Sequence, residues 1–170
     1  MSTPEFSRPI DRRQLKTKPA LLVADEAERK ALAARFGLVA IDRLDAEVSL
    51  APDGEAVVAT GTLEADIVQT CAVSGDDLPV TIAEPLVLRF VPKRPVEQEE
   101  IELEADDLDE IAFAGNFFDL GEAVAHSLAL AIDPYATGPD AESVRKEKGL
   151  ADEAASGAFA ALAALKESKQ

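Results

Sequence analysis

One cysteine and one histidine are all that this 170-residue chain offers to the chemistries that depend on them. Cys71 has no partner for an internal disulfide, which agrees with a reducing compartment. With His126 as the single imidazole, a His-rich metal site is excluded, and any acid–base pair must use carboxylates or this one ring. There is no Gly-x-Ser-x-Gly, no phosphate-cradling glycine loop followed by Lys-Ser/Thr, and no Cys-x-x-Cys. The acidic stretch 97–110 lacks the alternating Asp/Asn with glycine of a calcium loop. Apolar runs are short as well: those around 128–132 and 158–165 fall well below the roughly 20 residues that a membrane span requires. Residues 1–6 show neither a basic n-region nor an apolar h-region. These absences predict a cytoplasmic protein without catalytic residues, metal or cofactor.

What the chain does have is negative charge. Its formal charge of −16 repels phosphate backbones and attracts basic proteins. The distribution is uneven. Residues 1–20 hold Arg8, Arg12, Arg13, Lys16 and Lys18 against Glu5 and Asp11, whereas 97–110 hold nine carboxylates with no base after Arg94. Self-repulsion beside Pro92 and Pro95 predicts a poorly ordered acidic loop over 95–110. Nearly half of the residues are hydrophobic, ample for one core.

Helix signals are sharp at two places. Asp25 with Glu28 has capping-box spacing, and Gly37 is placed to close the helix in a left-handed conformation, predicting helix over 25–36. Asp119 with Glu122 repeats the spacing and Pro134 stops the chain, predicting helix over 119–132 with Leu120, Val124, Leu128 and Ala131 toward a core and Leu130 and Ile132 beside them. Between the two the period falls to two. Strands are predicted from Val39 to Leu50, where the alternation is imperfect, from Val57 to Val73, and from Pro79 to Phe90 with a bend near Pro85. Pro52-Asp53-Gly54 and the 74–77 segment supply turns, giving an antiparallel meander. Ile101–Glu104 is a further strand candidate, and Phe6–Ile10 could pair at an edge.

The organisation expected is a basic N-terminal arm or edge strand over 1–20, one α+β domain over 21–138 that includes the acidic loop 95–110, and a polar linker with a short C-terminal helix over 139–170. The fold class is α+β: an antiparallel sheet, curled toward a partly open barrel, packed by two helices, with a mobile C-terminal helical tail. In that tail Phe159, Leu162 and Leu165 form an apolar stripe on a helix too short to persist alone in water. Cys71 ends a strand with no Lys, Arg or His within ten residues to favour a thiolate, and reads as a buried structural cysteine. His126 lies within the second helix and reads as a packed or surface residue.

Three blocks occur in order: Gln69-Thr70-Cys71 at a strand end, Asp119-Leu120-Gly121-Glu122 leading to Pro134-Tyr135, and Phe159 to Lys166. With them the chain resembles YceD-like proteins, the large ribosomal RNA subunit accumulation proteins, of the alphaproteobacterial type. The resemblance implies a bacterial cytoplasmic factor needed for normal large-subunit ribosomal RNA levels, with Cys71, Asp119, Leu120, Pro134 and Tyr135 as motif positions and no catalytic residue to carry over. Many relatives have Cys-x-x-Cys where this chain has Val68-Gln69-Thr70-Cys71, so one thiolate is left and a four-ligand zinc site is not available. Three functions stay open: an assembly factor acting through protein contacts with a basic ribosomal or rRNA-processing protein or a large-subunit precursor, an RNA-binding module making weak contacts through Arg8, Arg12 and Arg13, and a small hydrolase. For the first, Phe159, Leu162 and Leu165 are the candidate contact residues.

Overall fold

The computed structural model describes residues 4–93 and 110–149. Seven strands and three helices lie among them: β1 (Pro9–Asp11), β2 (Ala20–Val23), α1 (Glu26–Phe36), β3 (Ala40–Asp53), β4 (Ala56–Thr70), β5 (Asp77–Pro92), β6 (Glu110–Phe113), β7 (Phe117–Asp119), α2 (Leu120–Ala131) and α3 (Ala141–Glu147). The fold is α+β. A five-stranded sheet has the order β2-β3-β4-β5-β6, and β1 pairs with β7 in a separate two-stranded sheet. The larger sheet does not close into a barrel, since β2 and β6 end the order without pairing with each other.

The described residues form two compact units, one within 4–69, 79–93 and 110–132, the other within 70–78 and 133–149. In the first, the two predicted helices and three predicted strands are present. Asp25 and Glu28 make both halves of the capping box, and Gly37 closes α1 at φ 67°. At α2 the reciprocal half is missing. Asp119 accepts the Glu122 N–H at 3.0 Å, but the Glu122 carboxylate goes to Arg35 at 2.8 Å instead of back to the cap. Arg35 also reaches Glu5 at 2.9 Å, and an arginine with two carboxylates in reach outcompetes one backbone amide. Leu130 is 76% exposed, unlike the fully buried Leu120, Val124 and Leu128, because it lies one turn after the exposed His126 on the flank of the apolar face.

The imperfect alternation of β3 has a structural cause. The register with β4 shifts between Ile41 and Arg43, a β-bulge that turns both Ile41 and Leu44 to the core. Beyond it, Leu44, Ala46 and Val48 are buried in alternation, as are Ala59, Leu63, Ala65 and Ile67 of β4. Gly61 sits where a Cβ would lie 1.9 Å from the Glu47 carbonyl oxygen, so β3 and β4 approach there as only glycine permits. Phe6, Phe90, Phe118, Leu32 and Leu128 complete the core, with the Phe90 and Phe118 rings stacked at 4.2 Å.

Several expectations need correction. The N-terminal segment is an edge strand rather than a free arm, although it pairs over Pro9–Asp11 and with β7, not within the main sheet. β2 is a strand that the sequence reading omitted; four residues are too few to show a period. The sheet is not wholly antiparallel, because β6 runs parallel to β5, as a long connection between them allows. Glu110, assigned to the acidic loop 95–110, opens β6 and pairs with Arg89 of β5, so the missing base comes from another strand. Residues 95–109, the strand candidate Ile101–Glu104 and the apolar stripe Phe159, Leu162 and Leu165 lie outside the described residues. In the second unit, the stretch after residue 139, expected as polar linker, contains α3. Glu142 in its first turn and Arg145 and Lys146 in its last suit the helix dipole, and Ala141 is buried.

Candidate functional site: the open face of the sheet

Alternation along β3 and β4 turns a second set of side chains away from the core: Arg43, Asp45 and Glu47 on one strand, Thr62, Glu64 and Asp66 on the other. Glu47, Thr62 and Glu64 are exposed, and Arg43, Asp45 and Asp66 are half-buried. Register places Arg43 opposite Asp66 and Asp45 opposite Glu64. The second pair is unfavourable by itself, because like charges face each other across the ladder. Arg43 resolves it. Its Nε donates to Asp66 at 2.8 Å, and its Nη1 donates to Glu64 at 2.8 Å and to Asp45 at 3.2 Å. Thr81 of β5 donates its hydroxyl to the other Asp66 oxygen at 2.9 Å. The Arg43 hydrogen bond, with that of Thr81, holds the Asp66 carboxyl below its ordinary pKa, and the three carboxylates raise that of Arg43.

One guanidinium against three carboxylates leaves this patch negative, and the exposed Glu47 adds to it. Toward the far end of the sheet Arg89 holds Asp53 at 2.9 Å and Glu110. The face is thus a fixed acidic surface on rigid strands. The sequence expectations placed the notable acidic charge in the loop 95–110 and not on this face, although Asp45 and Glu47 alternating with buried Leu44, Ala46 and Val48 carried the signal.

The predicted arm residues are largely engaged elsewhere. Arg8 binds Glu28 at 2.7 and 3.0 Å, donates to the Ser7 and Val23 carbonyls, and lies 4.6 Å over the Phe6 ring. Arg12 donates to the Glu55 carbonyl at 2.9 Å. Arg13 forks onto Asp11, depressing that carboxyl to about 2. The motif position Asp119 fastens this segment: it accepts from the Ser7 hydroxyl at 2.5 Å and the Arg8 N–H at 2.8 Å as well as capping α2. Leu120 is fully buried, and a Cβ on Gly121 would meet the Phe6 carbonyl oxygen at 2.3 Å. These motif residues therefore serve the fold by letting residues 6–8 lie against the start of α2.

Pro134 and Tyr135 form an exposed turn after α2, with the Tyr135 N–H donating to Asp133 at 2.9 Å. In the same unit Cys71 is buried, as expected, and backbone N–H groups converge on its sulfur. The Gly138 N–H points at its sulfur at 3.3 Å and the Ser74 N–H at 3.4 Å. These donors, with Gly138 the strongest, lower the thiol to about 6 against the opposing effect of burial. No nearby base was needed, because amides folded back by the turn and by residues 136–138 replace it. His126 is an exposed residue of α2. Among the described residues no three of His, Cys, Asp and Glu gather as a metal-holding group, and no helix is long and apolar enough to cross a membrane.

A sequence model of the family described as Large ribosomal RNA subunit accumulation protein YceD matches residues 59–166, more than half of the chain. The chain belongs to the YceD family. The matched region begins within β4, takes in Cys71 and the Asp119-Leu120-Gly121-Glu122 motif, and extends through the Phe159 to Leu165 segment. No curated protein and no solved structure matches the chain. Membership in the YceD family connects it with the accumulation of large-subunit ribosomal RNA.

Proposed function

We propose that this protein is a non-enzymatic, cytoplasmic factor that supports ribosome assembly by holding a basic ribosomal or rRNA-processing protein against its acidic sheet face. The observation that carries this reading is the open patch of Asp45, Glu47, Glu64 and Asp66, which among the described residues is ion-paired only with Arg43. Ribosomal partners are rich in Lys and Arg, and a fixed acidic face steers such partners and excludes bare phosphate backbones. The Phe159, Leu162 and Leu165 stripe supplies the apolar part of the contact. Its inclusion in the family match favours a role common to YceD proteins. Direct RNA binding by the arm has less support, because Arg8, Arg12 and Arg13 are each hydrogen-bonded within the fold.

The test is affinity purification of the full chain from its native cell, with proteins and RNA both identified. Glu47→Thr with Glu64→Thr removes two charges while keeping strand-forming side chains. Capture of large-subunit precursors should fall with this pair, and separately with Phe159→Ser and Leu162→Ser, while the melting temperature stays nearly constant. Undiminished capture by both variants rejects the reading.

A further inference from the structure

The acidic face of the sheet has an apolar border. Register sets Leu21 of β2 opposite Glu47 and Val23 opposite Asp45, so the two aliphatic side chains stand on the same face as those carboxylates. The next strand continues both rows, with Thr62 opposite Glu47 and Glu64 opposite Asp45. Leu21 is 71% exposed and Val23 52%, whereas Leu22 between them is buried in the core. The alternation of β2 thus turns two large apolar side chains to solvent, next to each other on one strand.

These rows have a sign as well as a shape. Arg43 is shared among Asp45, Glu64 and Asp66, and among the described residues Glu47 has no ion-pair partner. Arg8, whose guanidinium donates to the Val23 carbonyl, is held by Glu28. An occupant of this face therefore meets an excess of carboxylates beside exposed aliphatic groups. It must also satisfy its own backbone, because β3 bonds to β2 on one side and to β4 on the other and has no ladder groups to offer. An α-helix does so by itself. Spacing agrees: Leu21 and Val23 are separated by about 6.8 Å along an antiparallel strand, and helix residues four apart by about 6 Å along the axis.

From the row of Leu21 and Val23 beside Asp45, Glu47 and Glu64, we infer that this face receives an amphipathic basic α-helix of the partner protein. The helix lies along β2 and β3, sets aliphatic side chains four residues apart over Leu21 and Val23, and directs the Lys and Arg that flank them to the carboxylates. This rests on the proposed role of the same face and adds the form of the partner's contact segment. Charge excludes a nucleic acid. The exposed aliphatic pair selects such a helix over a polybasic tail, which has nothing to place there.

The test uses the full chain and a fluorescein-labelled peptide, Leu-Lys-Ala-Lys-Leu-Lys-Ala repeated twice, whose leucines form one helical stripe. Binding is followed by fluorescence anisotropy at physiological ionic strength, where unspecific attraction is screened. Saturable binding is expected, with shifts of the Leu21 and Val23 methyl resonances. Leu21→Thr with Val23→Thr supplies β-branched strand formers and should weaken binding roughly tenfold. Leu21→Thr alone should weaken it less, with the melting temperature nearly unchanged in both. A peptide of the same composition with its leucines spread around the helix should also bind roughly tenfold more weakly. No binding of the striped peptide, equal binding of the rearranged one, unmoved methyl resonances, or insensitivity to the Leu21 and Val23 changes overturns the inference. If Glu47→Thr with Glu64→Thr weakens binding while the Leu21 and Val23 changes do not, the helix is rejected and the acidic face still holds a basic partner; if neither pair matters, both readings fail.

Discussion

Strands β3 and β4 carry two surfaces of opposite character one residue apart. Toward the core, Leu44, Ala46, Val48, Leu63 and Ala65 are almost fully buried; toward solvent, Arg43, Asp45, Glu64 and Asp66 form an ionic cluster. Both surfaces are ordered by the same register, but their energetics differ by kind. The buried face gains from removal of apolar area from water, roughly 25 cal/mol per Å². On the open face the ion pairs nearly cancel against hydration and side-chain entropy, each worth about 0–1 kcal/mol. The core face therefore stabilises the molecule, and the outer face can be shaped for contact at little cost to the fold.

The comparison breaks most visibly at Leu63, fully buried on β4 between outward Thr62 and Glu64. Leu63→Ala should lower stability by about 2–5 kcal/mol, read by urea denaturation, through lost transfer energy and a residual cavity. If Glu64→Ala, its neighbour, cost as much, the division of labour between the faces would be wrong. Next in size is Asp119, which joins the N-terminal segment to α2. Asp119→Ala removes the cap and the acceptor of the Ser7 and Arg8 donors, and should cost about 1–2 kcal/mol by the same measurement. Amide exchange should speed up most at residues 8–11.

The second unit offers a different charge effect. The Cys71 thiol titrates near 6 in the fold and near the ordinary thiol value in the unfolded chain. A depressed acid stabilises the fold when ionised. This contribution is fully present above the unfolded value of roughly 8.5 and is lost as pH falls through 6. The melting temperature of Cys71→Ala should therefore lack a rise between pH 6 and 8.5 that the unaltered chain shows, and thiolate absorbance near 240 nm should titrate with its midpoint near 6. A midpoint above 8 would mean that the Gly138 and Ser74 amides do not reach the sulfur in solution.

Elements with local signals were legible in sequence. Asp25, Glu28 and Gly37 announce α1, Asp119 announces α2, and the two-residue period announces β3 to β5. Pairing between distant segments was not. Nothing near Pro9 or Phe117 specifies that β1 meets β7, or near Glu110 that β6 lies parallel to β5, since three- and four-residue strands have too little pattern and their partners are remote in sequence. The acidic face was half legible. Alternation put Asp45 and Glu47 on one side, but the bulge that aims Arg43 at Asp66 appears in sequence only as a fault in the period. Cys71 shows the opposite limit, because its perturbation arises from backbone amides, which every residue has and no motif records.

The smallest effect on stability, and the sharpest probe of the open face, is expected at Arg43. Replacing it with Gln keeps the length of the side chain near the strand but leaves Asp45 opposite Glu64 without a bridging cation. The loss should be the smallest of those predicted here, and it should shrink in salt, which screens the exposed carboxylates from one another. Its pH dependence has a fixed sign. Asp66 has a folded pKa below its ordinary value of 3.8, so the Arg43 contribution is present above that value and disappears as pH falls through the lower folded one. Unaltered and Arg43→Gln chains should therefore differ in melting temperature near neutral pH and converge in acid. Binding should move the other way: with its cation gone the face is more negative, and affinity for a basic partner at low salt should rise. A variant that loses both stability and partner capture would show that Arg43 itself makes the contact, and that the patch is read as a shaped ion cluster instead of as a negative field.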